Sequence, residues 1–333
     1  MFTTLSRRTS VLVASSLVVA TAGVLAAAQS EERRNPATEP DTAAAMPLSG
    51  ADSGDTQRSG QATVDARPGD VAVCDEPGTD EIIEVPDAGA PDGKRPVWVR
   101  RPPGPDSADL PVLYLLHGST TTHMTVKDAG VGPAMDEQMC RSGVEFVIAA
   151  PFGQEVGGRD TEWGDQADGE FNIETFVTEK AVDAVEGDNE RPRSLRAIGG
   201  FSMGGYAAAA IPLRHPDLYA QAVSWAGYFK VDDPSGTFGD NPDAHAPDQL
   251  LDDPKARDIR FMLVEGQEDY TPLQEGSING EAERFEKLLE ERDIPVRTEY
   301  PEGGHTFDAW TPTFDESVDF LAEGWTDAAA GQH

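Results

Sequence analysis

The sequence predicts an α/β fold, a mostly parallel central sheet with helices on both faces. Two observations predict this class. From about residue 80 to residue 323, short runs rich in aliphatic and β-branched residues alternate with segments whose apolar residues recur at helical spacing. No repeat of fixed period replaces that alternation, which excludes solenoids and propellers. With 333 residues, 38% of them hydrophobic, the chain can form one large domain or two small ones.

Each predicted strand is a short apolar run. The run at 110–116 is almost continuously hydrophobic, as a strand buried on both faces of a sheet requires. In chain order, the predicted strands are 82–85, 97–99, 110–116, 145–150, 195–199, 220–226, 260–264 and 296–300. Sites in such folds lie at the carboxyl ends of parallel strands, so the residues that follow these runs are the candidates for function.

The predicted helices lie between these strands or after the last of them. In the helix at 173–185, the apolar side chains from Phe176 to Val185 fall at helical spacing. The predicted helices are 134–140, 173–185, 203–214, 281–291 and 314–323. Pro212 should end or bend the third of them, because proline has no amide N–H and its ring crowds the preceding turn.

The first 70 residues are predicted to precede the folded domain. Arg7 and Arg8 come before an uncharged run rich in Val, Leu and Ala, so residues 1–28 are interpreted as a signal peptide. The two arginines also resemble a twin-arginine signal, and a permanent anchor is the alternative, because a span needs about 20 apolar residues. Residues 29–70 contain few large apolar side chains and are interpreted as a disordered linker. The folded domain is then 71–333, and the protein is expected to be secreted or held in the cell envelope, with no stable membrane span after signal removal.

The charge balance is strongly acidic. Asp and Glu number 60 against 26 Lys and Arg, which gives a formal net charge of -34. Binding to nucleic acid or to an anionic lipid surface needs a basic footprint, so neither is an expected partner. No group of His, Cys and carboxylate side chains has the spacing of metal ligands beyond what the abundance of acids gives, so no metal and no cofactor is expected.

Cys74 and Cys140 are the only cysteines in the chain. In an exported protein an even number of cysteines indicates disulfide bonding, so the sequence predicts a bond between these two. Two unpaired, buried thiols are the alternative.

The strongest functional signal is the segment Gly-Phe-Ser-Met-Gly-Gly at 200–205, which follows a predicted strand and precedes a predicted helix. In that setting Gly-x-Ser-x-Gly forms a turn so tight that its neighbours must lack side chains, and the turn presents the Ser202 hydroxyl above the edge of the sheet. The amino end of the following helix points at the same place and favours developing negative charge. Ser202 is therefore the predicted nucleophile.

A serine hydroxyl needs a base to accept its proton, and the base needs a third group that holds it in one tautomer. His305 is the predicted base, because it lies in a loop of small residues directly after a predicted strand; a simple loop histidine is the alternative. Asp269 is the predicted orienting carboxylate, with Glu268 second, because both follow a strand that lies between the serine and the histidine in chain order.

Backbone N–H groups are expected to stabilise the oxyanion that forms when the serine attacks a carbonyl group. Met203 directly follows the nucleophile and is the first predicted donor. The second donor is expected in the loop at 117–120, which leaves the strand at 110–116. Ser119 is the preferred residue there, and Gly118 is the alternative.

From about residue 97 to residue 323 the chain resembles the esterase D and mycolyltransferase branch of the α/β-hydrolase superfamily. The resemblance is carried by LLHGS at 115–119, ETF at 174–176, GFSMGG at 200–205, HPDL at 215–218, GQED at 266–269 and GGH at 303–305. It implies the α/β-hydrolase fold, ester or acyl-transfer chemistry, and a site made of Ser202, Asp269, His305, Met203 and Ser119. Mycolyltransferases carry Asp-Gly where this chain has His117-Gly118, so the resemblance favours the hydrolytic esterases. The segments at 153–168 and 231–252 match nothing that names a substrate.

The sequence therefore predicts a secreted serine esterase that hydrolyses a small-molecule or envelope ester through an acyl-enzyme. An acyltransferase that passes the acyl group to a sugar or lipid alcohol of the envelope is the alternative, because the turn around Ser202 does not distinguish water from an alcohol. A non-catalytic envelope-binding protein that keeps the fold is a third class, which a complete triad disfavours. The oligomeric state is not predicted.

Overall fold

Strands and helices alternate through the computed structural model, in which residues 71–90, 92–104, 109–155 and 160–330 are described. The predicted signal peptide, 1–28, and the predicted linker, 29–70, lie outside these ranges. The strands are β1 (Thr79–Pro86), β2 (Lys94–Arg101), β3 (Val112–Leu116), β4 (Val147–Pro151), β5 (Arg196–Phe201), β6 (Gln221–Trp225), β7 (Arg260–Val264), β8 (Pro272–Leu273), β9 (Gly276–Ser277) and β10 (Val296–Glu299). The α-helices are α1 (His123–Asp128), α2 (Val131–Ser142), α3 (Ile173–Thr175), α4 (Ala181–Glu186), α5 (Met203–Arg214), α6 (Glu281–Glu290), α7 (Phe307–Trp310) and α8 (Phe314–Ala330).

One sheet has the strand order β1-β2-β4-β3-β5-β6-β7-β10, and β8 and β9 pair separately. β2 is antiparallel to both of its neighbours, β1 and β4, whereas the other neighbouring strands of the sheet are parallel. This arrangement confirms the mostly parallel sheet predicted from the sequence. β3, β4, β5 and β6 are buried along their whole length, as strands covered on both faces must be.

The register of the parallel strands brings their carboxyl ends to one level. Leu116 at the end of β3 lies opposite Gly200, and Phe201 at the end of β5 lies opposite Trp225. Trp225 in turn lies opposite Val264, the last residue of β7. The loops that leave β3, β5, β6 and β7 therefore start at the same edge of the sheet.

The five predicted helices are present, and the helix predicted at 203–214 has the predicted ends, whereas the others differ at one end or both. α2 begins at Val131 rather than at 134, and α8 continues to Ala330 rather than ending at 323. The predicted helix at 173–185 is composite, because a π-helix, Phe176–Lys180, joins α3 to α4. Pro212, which was expected to end or bend the third predicted helix, does not end it, since α5 continues for two more residues to Arg214. The proline removes one hydrogen bond from the last turn, and burial of the helix along almost its whole length offsets that loss.

A buried ion pair joins α4 to the central sheet. Glu186 at the end of α4 accepts two hydrogen bonds of 2.8 Å from the guanidinium of Arg196 on β5. The same carboxylate accepts the Tyr114 hydroxyl at 2.9 Å and the backbone N–H of Arg191 at 2.6 Å. Because each oxygen of the buried carboxylate has donors, the desolvation cost of the charge is compensated, and the pair fixes α4 against the sheet.

Cys74 and Cys140 form a disulfide, which confirms the predicted bond. It ties the short 3₁₀ turn Ala72–Cys74 to α2, across a sequence separation of 66 residues. The bond therefore anchors the first described residues of the chain to the folded domain.

Within the ranges described here, none of the helices combines the length and the apolar character that crossing a bilayer requires.

Candidate active site

The sequence-predicted site residues all follow strands of the parallel part of the sheet. Ser119 lies in the loop after β3, Ser202 follows β5 directly, and Asp269 lies in the loop after β7. His305 lies in the loop between β10 and α7. These positions agree with the rule that sites in α/β folds form beyond the carboxyl ends of the strands.

Ser202 lies on a strained turn between β5 and α5. Its backbone has φ 57° and ψ -116°, a combination that residues with a side chain rarely adopt. The turn is held by a hydrogen bond of 2.8 Å from the Ser202 N–H to the Trp225 carbonyl oxygen. A Cβ on Gly200 would clash with the backbone of Gly204, so glycine at this position is required for the turn to close. The geometry is that of a nucleophile elbow.

The loop after β3 lies directly against this turn. A Cβ added to Gly118 would lie 3.2 Å from the Cβ of Ser202 and 3.2 Å from the carbonyl oxygen of Phe201. Among the residues that the structure describes, the backbone N–H groups of Ser119 and Met203 have no hydrogen-bond acceptor. The N–H groups of Ser119 and Met203, which the sequence analysis selected as donors, are therefore free to bind an acceptor beside Ser202.

The side chains of His305 and Asp269 are in direct contact. His305 Nδ1 lies 2.6 Å from Asp269 Oδ2, and the Asp269 side chain is fully buried, whereas about a quarter of the His305 side chain, 24%, is exposed. Burial by itself would raise the pKa of Asp269, but hydrogen bonds from His305 and Thr271 outweigh it and leave the pKa below its usual value. The carboxylate is therefore charged and can hold the ring nitrogen that faces it as N–H. Glu268, the second choice for this role, is exposed.

Aromatic packing connects the histidine loop to the elbow. The ring of Phe201, the residue before Ser202, lies 4.9 Å from the ring of Phe307 and 5.2 Å from that of Trp310. Trp310 also contacts the His305 ring edge-on, with the ring centroids 5.2 Å apart. The loop that carries His305 is thereby packed against the residue that precedes Ser202.

Asp160 is a residue of this region that the sequence argument missed. It accepts a short hydrogen bond from the Ser119 hydroxyl, and its other carboxylate oxygen lies 3.3 Å from the Thr120 backbone nitrogen. The segment at 153–168 carries no recognisable motif, and one more acid among 60 carries no signal. Only its position in space, beside the loop that follows β3, gives Asp160 a role.

Glu162 and Tyr228 form a buried pair that the sequence also did not predict. The Tyr228 hydroxyl donates a short hydrogen bond to Glu162, and its ring stacks on Tyr206 with the centroids 5.0 Å apart. Burial, together with nearby carboxylates such as Asp160, raises the pKa of Glu162 well above its usual value. The pair ties the segment around Glu162 to the loop after β6, next to the first turn of α5.

Two of the family-like motifs, ETF at 174–176 and HPDL at 215–218, meet in a second polar cluster. His215 Nε2 lies 2.6 Å from Glu174 Oε1, and Arg214 makes short contacts with both Glu174 and His245. The His245 and Phe238 rings stack with their centroids 3.8 Å apart. The cluster joins α3 to the end of α5 and anchors part of the segment at 231–252, so these motifs have a structural role.

The fold and the strained serine turn define an α/β-hydrolase. The chain belongs to the esterase family described as Putative esterase, whose family model matches residues 88–321. It is therefore an enzyme of ester chemistry, an esterase or an acyltransferase. No curated protein matches the chain significantly.

Solved structures give the same fold. A ferulic acid esterase has a TM-score of 0.62 and 18% identity, over 74% of this chain and 99% of that one. An S-formylglutathione hydrolase from Agrobacterium tumefaciens also has a TM-score of 0.62 and 18% identity, over 74% and 96% of the two chains. The MPT51 (FbpC1) protein of Mycobacterium tuberculosis has a TM-score of 0.54 and 18% identity, over 74% and 98%. At these identities the likeness concerns the fold.

Proposed function

We propose that this protein is a serine esterase that hydrolyses carboxylic esters through an acyl-enzyme. Ser202 is the nucleophile, His305 is the general base and acid, and Asp269 orients the imidazole. The N–H groups of Met203 and Ser119 form the oxyanion hole. The observation that carries the proposal is the 2.6 Å contact between Asp269 and His305, on a loop packed against the residue before a strained serine.

In the acylation step, Ser202 Oγ attacks the ester carbonyl carbon while His305 Nε2 accepts the hydroxyl proton. The carbonyl oxygen becomes an oxyanion, which the N–H groups of Met203 and Ser119 stabilise. The tetrahedral intermediate then collapses: the bond to the alcohol oxygen breaks, the alcohol leaves with the proton from His305, and the acyl group stays on Ser202. Asp269 stabilises the imidazolium that exists between these two proton transfers.

Deacylation repeats the sequence with water. The water gives its proton to His305 and attacks the acyl carbon, and collapse returns that proton to Ser202 Oγ as the carboxylic acid leaves. An alcohol in place of water would produce a new ester instead. Acyl transfer to an alcohol is therefore the second possible result of the product analysis described below. The same residues would carry out hydrolysis and transfer.

We also propose that the protein is exported, with residues 1–28 as its signal. The Cys74–Cys140 disulfide supports this location, because such bonds persist in oxidising compartments outside the cytosol. Sequencing the amino end of the mature protein after expression with its own leader tests the proposal. A mature protein that starts at Met1 and stays in the cytosol would contradict it.

A fluorophosphonate probe followed by peptide mapping tests the nucleophile. We expect labelling on Ser202, loss of labelling and of ester hydrolysis in Ser202→Ala, and full labelling in the matched control Ser235→Ala, a half-buried serine of the loop after β6. Labelling at another residue, or hydrolysis that survives Ser202→Ala, would reject the proposed mechanism. A chain-length series of nitrophenyl esters then defines the acyl pocket, and product analysis with added sugar or lipid alcohols separates hydrolysis from transfer.

A further inference from the structure

The carbonyl oxygen of Gly118 is surrounded by donors from two side chains. His117 Nδ1 lies 2.9 Å from it, the Thr121 hydroxyl donates to it at 2.8 Å, and the Thr121 backbone N–H donates at 3.3 Å. A carbonyl oxygen has two lone pairs, so three donors saturate this one. The peptide that carries the oxygen also carries the Ser119 N–H, the group proposed as the second oxyanion donor.

The tautomer of His117 follows from its two neighbours. The Gly153 N–H donates to Nε2 at 3.0 Å, so Nε2 accepts and the ring proton lies on Nδ1, which faces the Gly118 oxygen. Burial lowers the pKa of His117 to about 4, so the ring stays neutral near pH 7 and keeps this arrangement. The indole N–H of Trp163 donates to the His117 carbonyl oxygen at 3.1 Å, which holds the backbone of His117 itself in place.

A peptide group is planar and its C=O and N–H bonds point in opposite directions. Donors that hold the Gly118 oxygen therefore also fix the direction of the Ser119 N–H. Hydrogen bonds to a carbonyl oxygen polarise the amide and strengthen its N–H as a donor, by roughly 10–30% per bond. The Asp160 contacts to the Ser119 hydroxyl and the Thr120 nitrogen hold the next peptide, so the loop is fixed on both sides of the donor.

We propose that His117 and Thr121 are positioning residues for the oxyanion hole: they hold and polarise the Gly118–Ser119 peptide so that its N–H faces the developing oxyanion. Neither side chain touches the substrate. This role rests on the proposed function of Ser202 and extends it, because it assigns a purpose to two residues outside the triad. It also gives histidine at 117 a purpose, since a neutral imidazole supplies an acceptor for Gly153 and a donor for Gly118 at the same time.

Thr121 offers the cleaner test, because it is half-buried whereas His117 is fully buried. Thr121→Val keeps the shape and removes the hydroxyl donor, and Thr121→Ser restores it. We expect kcat to fall about tenfold in Thr121→Val with KM unchanged, a smaller loss than the 10²- to 10³-fold effect of deleting an oxyanion donor, and to recover in Thr121→Ser. Thr125→Val is the matched control: its hydroxyl contacts Thr122 in the cap of α1 and not Gly118, so kcat should stay at the wild-type value.

A second measurement separates positioning from general loosening of the fold. A trifluoromethyl ketone forms a tetrahedral adduct that uses the oxyanion hole, whereas the alcohol product has no carbonyl oxygen to place there. We expect the affinity for the ketone to fall in Thr121→Val by the same factor as kcat/KM, and the affinity for the product to stay constant. His117→Phe, which removes both the donor for Gly118 and the acceptor for Gly153, should give a larger loss with the same pattern.

The proposal is overturned if Thr121→Val keeps wild-type kcat, if only KM changes, or if ketone and product affinities fall together. A failure of the underlying mechanism is distinguishable, because wild-type protein would then not be labelled on Ser202 by a fluorophosphonate. If Ser202 is labelled in wild type and in Thr121→Val at equal rates, the triad stands and the positioning role does not.

Discussion

The Cys74–Cys140 disulfide should contribute a large part of the stability of the folded domain. A bond that joins residues separated by 66 positions restricts the unfolded chain, and the chain-entropy relation gives about 4 kcal/mol for a loop of that length. For a domain of this size, a loss of about 4 kcal/mol corresponds to a decrease in Tm of roughly 10 °C.

The folded state itself should change little when the bond is removed. The segment that carries Cys74 keeps other contacts: the Val73 N–H donates to Glu145 Oε1 at 2.9 Å, and the Gly78 N–H donates to Asp136 Oδ2 at 2.9 Å. Asp136 also pairs with the Arg100 guanidinium, which fixes α2 against β2. We therefore expect the double variant Cys74→Ala, Cys140→Ala to fold and to retain activity while it unfolds at lower denaturant concentration.

Urea unfolding monitored by circular dichroism, with and without a reductant, measures the contribution. Reductant should lower the unfolding free energy of the wild type by about 4 kcal/mol and leave the double variant unchanged. The reasoning is wrong if oxidised and reduced wild-type protein unfold within about 1 kcal/mol of each other, or if alkylation of the native protein finds two free thiols.

Three further predictions concern the site and its surroundings. His117 is neutral in the folded state, with a pKa of about 4 against an unfolded value of 6.5, so the unfolded chain binds the proton first and stability should fall by about 3 kcal/mol as the pH drops from 6.5 to 4. Urea midpoints across this range should show the decrease, and His117→Gln should reduce it; an unchanged slope would contradict the burial argument. Asp269→Asn should lower kcat by about 10³-fold or more with little change in KM, because the imidazole then loses its orienting carboxylate; steady-state kinetics on a nitrophenyl ester tests this, and a loss below about tenfold would refute it. The net charge of -34 should repel anionic esters, so their kcat/KM should rise with salt while that of neutral esters stays constant.

The fold was predictable because its signals are local. The buried run at 112–116 is apolar at every position, and the turn at Ser202 needs glycines where the chain passes close to its own backbone. The order of the segments along the chain then predicted which strand ends carry the candidate base, His305, and the candidate carboxylate, Asp269. These constraints act within a few residues, so they are visible in the sequence without any knowledge of tertiary contacts.

The features that the sequence did not predict depend on contacts between distant segments. The π-helix at Phe176–Lys180 has the same apolar periodicity as an ordinary helix. Pro212 disfavours continuation of the helix, but α5 is buried along almost its whole length and continues to Arg214. Asp160 and Glu162 have the residue type of a solvated surface charge, and in a chain with 60 acidic residues that is the reasonable expectation.

Because the carboxyl ends of the parallel strands lie at one level, the order of segments along the chain was enough to predict that Asp269 and His305 lie at the same edge of the sheet, but not to predict the hydrogen bonds at the Gly118 oxygen. Because Phe201, Trp225 and Val264 lie opposite one another, the loops after β5, β6 and β7 begin at one edge, and the loop that carries His305 packs against Phe201. The hydrogen bonds at the Gly118 oxygen depend instead on the conformation of a single peptide group, and the sheet topology does not determine that conformation. His117 and Thr121, on either side of that peptide, hold its oxygen, and of the two only His117 lies in a segment that the sequence singles out.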